Sequence, residues 1–197
     1  IILLFGRLGD MFGKTKIFKI GLTIFTIGSL FCGLTNSLLF LVIARIIQAI
    51  GAAACMANNQ GIITEVFPIN ERGKALGLSG TFVALGSLVG PPLGGFILSI
   101  SSWQYIFLIN VPIGVITLFY SIKLLPKEKK KTESTLDGLG AVLFIISIIL
   151  LFGALNFGQS IGFNKPIILI EILIALISLV IFIYVEKKQE HPLLHLE

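Results

Sequence analysis

One arginine stands in an otherwise apolar stretch. Arg45 lies in LLFLVIARIIQAIG, Leu38 to Gly51, seven residues past Leu38. A charge at that depth in hydrocarbon costs about 2.5–3.5 kcal/mol on insertion scales, so such side chains face a bundle interior or a cavity. Gln48 follows one turn on, and Gly51, Ala52, Ala53 and Ala54 permit close helix packing. Two roles are open to Arg45: holding helices together by hydrogen bonds, or placing a charge in a cavity where it is used. A second pattern, GSLVGPPLGG from Gly86 to Gly95, places Gly86, Gly90 and Gly94 four residues apart, beside Gly95. That spacing gives a stripe without side chains where another helix can approach. Pro91 and Pro92 remove two backbone donors and predict a kink, which a membrane helix tolerates where it bends or packs. A third, GRLGDMFGKTK from Gly6 to Lys16, sets the acid Asp10 among bases, with Gly6, Gly9 and Gly13 available for a tight loop. Asp10 can pair with a cation or cap a helix N-terminus.

Little else in the chain could do chemistry. Cys32 and Cys55 fall inside apolar stretches without metal-ligand spacing, and His191 and His195 sit in a polar tail. No metal site and no cofactor is expected. Glu171, about six residues into the last apolar stretch, is the only acid well inside one; Glu65 and Asp137 read as interface residues. An intramembrane enzyme would need facing acids, His or Cys within the spans, so an enzyme is not expected.

The elements that carry these residues follow from composition. Charged residues make up 13% and apolar residues 55% of the 197, with a mean hydropathy of +1.00. A soluble domain has about a quarter charged residues; the solvent for most of this chain is lipid. Six apolar stretches are long enough to span: Ile17–Asn36, Leu38–Asn58 with a polar extension towards Glu65, Ala75–Ser99, Tyr105–Lys123, Leu136–Phe157 and Pro166–Val185. Backbone groups in lipid must pair within their own segment, so each is predicted as a helix. The opening run Ile1-Ile2-Leu3-Leu4-Phe5 is too short to cross about 30 Å of hydrocarbon and reads as the tail of a further span, in an incomplete chain. The fold class is all-α, polytopic and partial: six complete transmembrane helices plus the end of another.

Charge sets the expected orientation. Arg7, Lys14, Lys16, Lys19, Arg72, Lys74, Lys123, Lys127, Lys129, Lys130, Lys131, Lys187 and Lys188 all fall on alternate loops, leaving only Lys165 opposite and Arg45 within a span. Loops so enriched in Lys and Arg are expected to be cytoplasmic. The net charge of +5 is therefore a topology signal, and no nucleic-acid partner is expected. Trp103 and Tyr105 sit at the outer boundary, where amphipathic rings anchor in the headgroup region. On this threading Arg45 and Gly90 lie at similar depth, so the charge and the glycine stripe are expected to meet.

The first loop resembles the signature G-x-L-[AG]-D-x-x-G-[RK] of the major facilitator superfamily through Gly6, Leu8, Gly9, Asp10, Gly13 and Lys14; Met11 and Thr15 depart from its usual basic residues. In that family the loop helps stabilise one conformation of the transport cycle. LVIARIIQAIG resembles the fourth-span motif l-x-x-x-R-x-x-q-G, with Ala49 for its usual Gly, and the resemblance gives Arg45 a role in proton coupling. Gly86, Gly90, Pro91, Pro92, Gly94 and Gly95 fit the antiporter motif g-x-x-x-G-P-x-x-G-G, which the resemblance links to export. SSWQYIFLINVPIG and EKKQEHPLLHLE resemble segments of the drug:proton antiporters with fourteen spans.

The resemblance implies a major facilitator fold in the cell membrane. Residues 1–123 would be part of an N-terminal six-helix domain, 124–135 a basic cytoplasmic loop, 136–185 an extra pair of spans and 186–197 a connector to a missing C-terminal half. The implied function is export of a small amphipathic compound in exchange for protons by alternating access. A symporter for a small solute and an inactive truncated membrane protein are the alternatives. No substrate-contacting side chain is identified.

Overall fold

The computed structural model describes residues 2–126 and 138–186. Among the described residues eight helices follow one another: α1 (Ile2–Phe12), α2 (Lys14–Leu34), α3 (Leu38–Val66), α4 (Ile69–Ile100), α5 (Tyr105–Leu108), α6 (Asn110–Leu124), α7 (Gly138–Ile161) and α8 (Pro166–Glu186). Counting α5 and α6 together, six of these segments are long and apolar enough to cross a membrane. All six overlap the stretches read from the sequence, and the all-α polytopic class holds. The helices outrun the apolar stretches: α3 continues past Asn58 to Val66, and α4 starts at Ile69 rather than Ala75. Polar residues extend a helix beyond hydrocarbon at no cost, because hydropathy marks where lipid ends and not where backbone hydrogen bonding does.

The motif at Gly6–Lys16 differs from the expected loop. Residues 6–12 complete α1, Lys14 opens α2, and only Gly13 between them leaves the helix, at φ 101° and ψ 124°. Helical hydrogen bonding flanks it on both sides, from Gly13 N to Gly9 O at 2.9 Å and from Ile17 N to Gly13 O at 3.0 Å. A single glycine thus performs the turn assigned to three, since its positive φ is open to a residue without Cβ. The segment Tyr105–Lys123 also divides, into α5 and α6 at Ile109. Pro112 lies just beyond and has no N–H to return to the Leu108 carbonyl.

The chain forms two compact units, Ile1–Thr132 and Glu133–Glu197. In the first, α2 and α3 pack backbone to backbone through small residues. A Cβ at Gly21 would lie 2.6 Å from that of Ala54, and one at Gly28 would lie 2.7 Å from the Gln48 backbone; Gly51 is pressed against Phe25. Between membrane helices, where water supplies no driving force, such close approach is what adds dispersion contacts. The far side of α2 takes α5 and α6 through Gly33 against Leu108 and Gly114 against Thr26. In the second unit, α7 and α8 form a hairpin turned at Gly162, φ 94°. Its seam buries Ala154, Ile168, Ala175 and Phe182, and Phe144 packs on Phe182 with ring centroids 5.2 Å apart. Ser147 and Ser178 both donate to the Leu143 carbonyl, at 2.8 and 3.0 Å. Glu171 lies in this seam, its carboxylate 2.6 Å from where a Cβ at Gly153 would stand.

Lys127, Lys129, Lys130, Lys131, Asp137, Lys187, Lys188, His191 and His195 fall outside the described residues. Replacing Gly51 with Leu is expected to drive α2 and α3 apart. Overpacking of this kind costs about 1–3 kcal/mol; the check is a lower thermal midpoint of detergent-solubilised protein, whereas Gly6→Ala, where nothing lies within 4 Å, should leave it unmoved.

Candidate functional site

Two sites emerge, one at each end of α3. At its far end Asn58, Gly61 and Glu65 share one stripe at i, i+3 and i+7 and face the corner between α1 and α2. Asn58, 1% exposed, donates to the Phe5 carbonyl at 3.1 Å and the Ala54 carbonyl at 2.9 Å. Its amide oxygen is buried without a hydrogen-bond partner and lies where a side chain at Gly9 would begin. Gly9 is therefore a contact glycine, not a turn glycine. The Lys14 stem crosses α3 over Gly61, with its Cδ 2.6 Å from where a Cβ there would be. Its ammonium then meets Glu65 at 3.0 Å and Asp10 at 3.4 Å.

Asp10, Gly9, Gly13 and Lys14 of the first motif are thus gathered at one corner, together with Asn58 and Glu65. Gly6 stands apart with nothing near it, and Leu8 is half-buried on α1. The pairs are partly exposed, and exposed pairs are worth about 0–1 kcal/mol each. Their value is positional: one ammonium ties three helices. Glu65 as the partner of Lys14 was not legible, because the two are 51 residues apart and only the packing of α2 on α3 joins them.

Near the other end of α3, Arg45 projects into a cleft of about 740 Å³. Its walls are apolar and aromatic, with Phe25 on α2, Leu41, Ile46 and Ala52 on α3, and Phe107 on α5. Asn110 on α6 is a polar member. Arg45 Nη1 donates to Gln48 Oε1 at 2.8 Å, and the guanidinium carbon lies 5.3 Å from the centroid of the Phe107 ring. Among the described residues no carboxylate pairs with Arg45. Gln48 in turn donates to Ser29 Oγ at 2.7 Å. Sequence reading singled out Arg45 and placed Gln48 beside it. It missed Ser29 and Phe107, whose only signals were a lone hydroxyl and one ring among many in apolar spans.

The glycine stripe does not join this site. Nothing lies within 4 Å of a Cβ built at Gly86, Gly90, Gly94 or Gly95, and no residue of α4 is buried. The expected meeting with Arg45 is absent among the described residues. α4 touches α3 near its own start, where Asn59 donates to Ser79 at 3.3 Å and Ile63 and Phe67 face Ala75, Leu78 and Phe82. Towards its other end Ile97 and Ile100 border the same groove as Tyr105 and Leu108. The helix runs unbroken through Pro91 and Pro92.

Six membrane-length helices and a charge held within one of them define a multi-pass membrane protein. The match to the Major Facilitator Superfamily runs over residues 1–185, and the chain belongs to that family, whose members are transporters. Curated relatives agree. The chain is 43% identical to Riboflavin transporter RibZ of Clostridioides difficile over 79% of its own length and 34% of the relative. It is 37% identical to Uncharacterized transporter YebQ of Escherichia coli, over 98% and 42%. With Multidrug resistance protein 3 of Bacillus subtilis identity is 35%, over 97% and 38%. The chain spans about two fifths or less of the length of these relatives.

Gly13→Ala should destabilise the α1–α2 corner by about 1–3 kcal/mol, the cost of forcing a Cβ into a region reserved for glycine. The check is a lowered thermal midpoint together with faster proteolysis at the α1–α2 junction.

Proposed function

We propose that the protein carrying this chain exports small amphipathic compounds across the cell membrane in exchange for protons, as in the drug:proton antiporters with fourteen spans. The observation that carries the reading is Arg45, a membrane-embedded cation held by Gln48 and Phe107 at the wall of an apolar, aromatic-lined cleft. A fixed positive charge with no paired carboxylate among the described residues repels a proton nearby and attracts an anion. Protonation of a neighbouring group on the transport path would therefore change the balance at the cleft. Support for organic solutes comes from relatives named as multidrug resistance proteins and as a riboflavin transporter.

The antiporter pattern Gly86, Gly90, Pro91, Pro92, Gly94, Gly95 favours export, and its open face on α4 suits a helix that packs elsewhere in the complete protein. Residues 1–123 then supply part of the first six-helix domain, 124–135 its cytoplasmic linker, 136–185 the extra pair and 186–197 the lead into the second domain. The two halves rock about a site near the midplane. The corner built by Gly9, Asp10, Gly13 and Lys14 with Glu65 steadies one state of that cycle.

In the complete transporter, Arg45→Ala is expected to abolish proton-gradient-driven ethidium efflux while leaving the amount of inserted protein unchanged; undiminished efflux discards the coupling role. Orientation has its own test. With Cys32 and Cys55 replaced by Ala, cysteines placed at Arg72 and Lys123 should react with an impermeant maleimide only from the cytoplasmic side, and one at Ser102 only from outside. Labelling of all three from one side would overturn the threading.

A further inference from the structure

Arg45 has a second layer behind it. An arginine offers only donors, so the atom of Gln48 that meets Nη1 at 2.8 Å must be the carbonyl oxygen. The Gln48 amide nitrogen then faces α2, where it donates to Ser29 Oγ at 2.7 Å. Gln48 is 5% exposed and Ser29 0%, so neither end of this link is shared with solvent. Gly28 explains how α2 reaches so far in, since its missing side chain lets the Gln48 backbone pass directly over it. Cys32, one turn beyond Ser29, directs its thiol at the Gln48 oxygen at 4.0 Å, the other end of the amide, and so does not take the place of the hydroxyl that accepts from the N–H.

We propose that Ser29 is a positioning residue for Arg45. By accepting from Gln48, its buried hydroxyl pins the far end of the amide, which keeps the oxygen at the guanidinium and so holds Arg45 against Phe107 at the wall of the cleft. Without that acceptor a buried N–H is left unpaired and the amide is no longer tied at its far end, so its oxygen is no longer held in place at Nη1. Among the described residues lining the cleft Arg45 is the one charged group. On α2 the titratable side chain beside Gln48 is Cys32. The assignment rests on reading Arg45 as the coupling residue.

The experiment uses everted membrane vesicles containing the complete transporter, with ethidium efflux and ethidium-driven proton release followed across the neutral pH range. Ser29→Ala should lower coupled efflux about tenfold, the size of one lost buried hydrogen bond, and displace the pH profile. Ser29→Thr, which keeps the hydroxyl, should restore both. In a Gln48→Leu background Ser29→Ala should cost nothing further, because the link is already gone. A Ser29→Ala transporter with an unmoved pH profile, or losses that simply add, overturns the assignment.

Should Ser29→Ala fail to accumulate in the membrane, Gln48→Glu decides. It keeps an acceptor for Arg45 and lets Ser29 donate, but places a titratable charge in the link, so the profile must move; an unmoved profile overturns the assignment. Arg45→Ala separates the two levels. If that variant still couples protons, the coupling role falls and Ser29's role with it. If Arg45→Ala is inactive while Ser29→Ala matches the unaltered transporter, only the role of Ser29 falls.

Discussion

The backbone-level contact between α2 and α3 underlies everything described in the first unit. It depends on glycines that leave no side chain between the two helices, at Gly21, Gly28 and Gly51. Two consequences follow from one approach. At one end the Gln48 amide is delivered to Ser29, and Arg45 is left facing the cleft. At the other, Asn58 and Glu65 reach the α1–α2 corner. In water, burial of apolar surface could hold two such helices with larger residues. In lipid the tails are as apolar as the side chains, so contact distance and hydrogen bonds have to supply the attraction. The buried amides and hydroxyls along this seam are therefore part of what holds it.

How much of this was legible depends on the length scale of the signal. The six spans and their helical type came through because hydropathy over about twenty residues is a strong signal with one physical cause. Arg45 came through because a charge in hydrocarbon is costly enough to demand a reason. Its immediate partner Gln48 was visible because i, i+3 spacing puts the two on one face. What was hidden lies across helices. Ser29 to Gln48 and Lys14 to Glu65 are separated by 19 and 51 residues, and a single chain does not show which faces of two helices meet.

The corner at Gly6–Lys16 illustrates a subtler error. Three glycines in eight residues suggested a tight loop, yet only Gly13 uses a backbone conformation that glycine alone adopts freely. Gly9 is helical and serves as a landing place for Asn58. Glycine marks either a turn or a close approach, and the sequence does not say which. The same ambiguity covers α4, where the glycine stripe is read as a packing face but no described neighbour occupies it.

Gly13 and Lys14 are adjacent, and that adjacency links geometry to charge. The residue that swivels the chain between α1 and α2 is followed at once by the residue whose ammonium clasps Asp10 before the swivel and Glu65 on a third helix. A change in the angle between α1 and α2 moves Asp10 relative to Lys14, so the joint and its fastening act as one mechanical part. Salt weakens partly exposed pairs such as these, so local ionic strength acts on the joint itself, with a force that is small but aimed at one glycine.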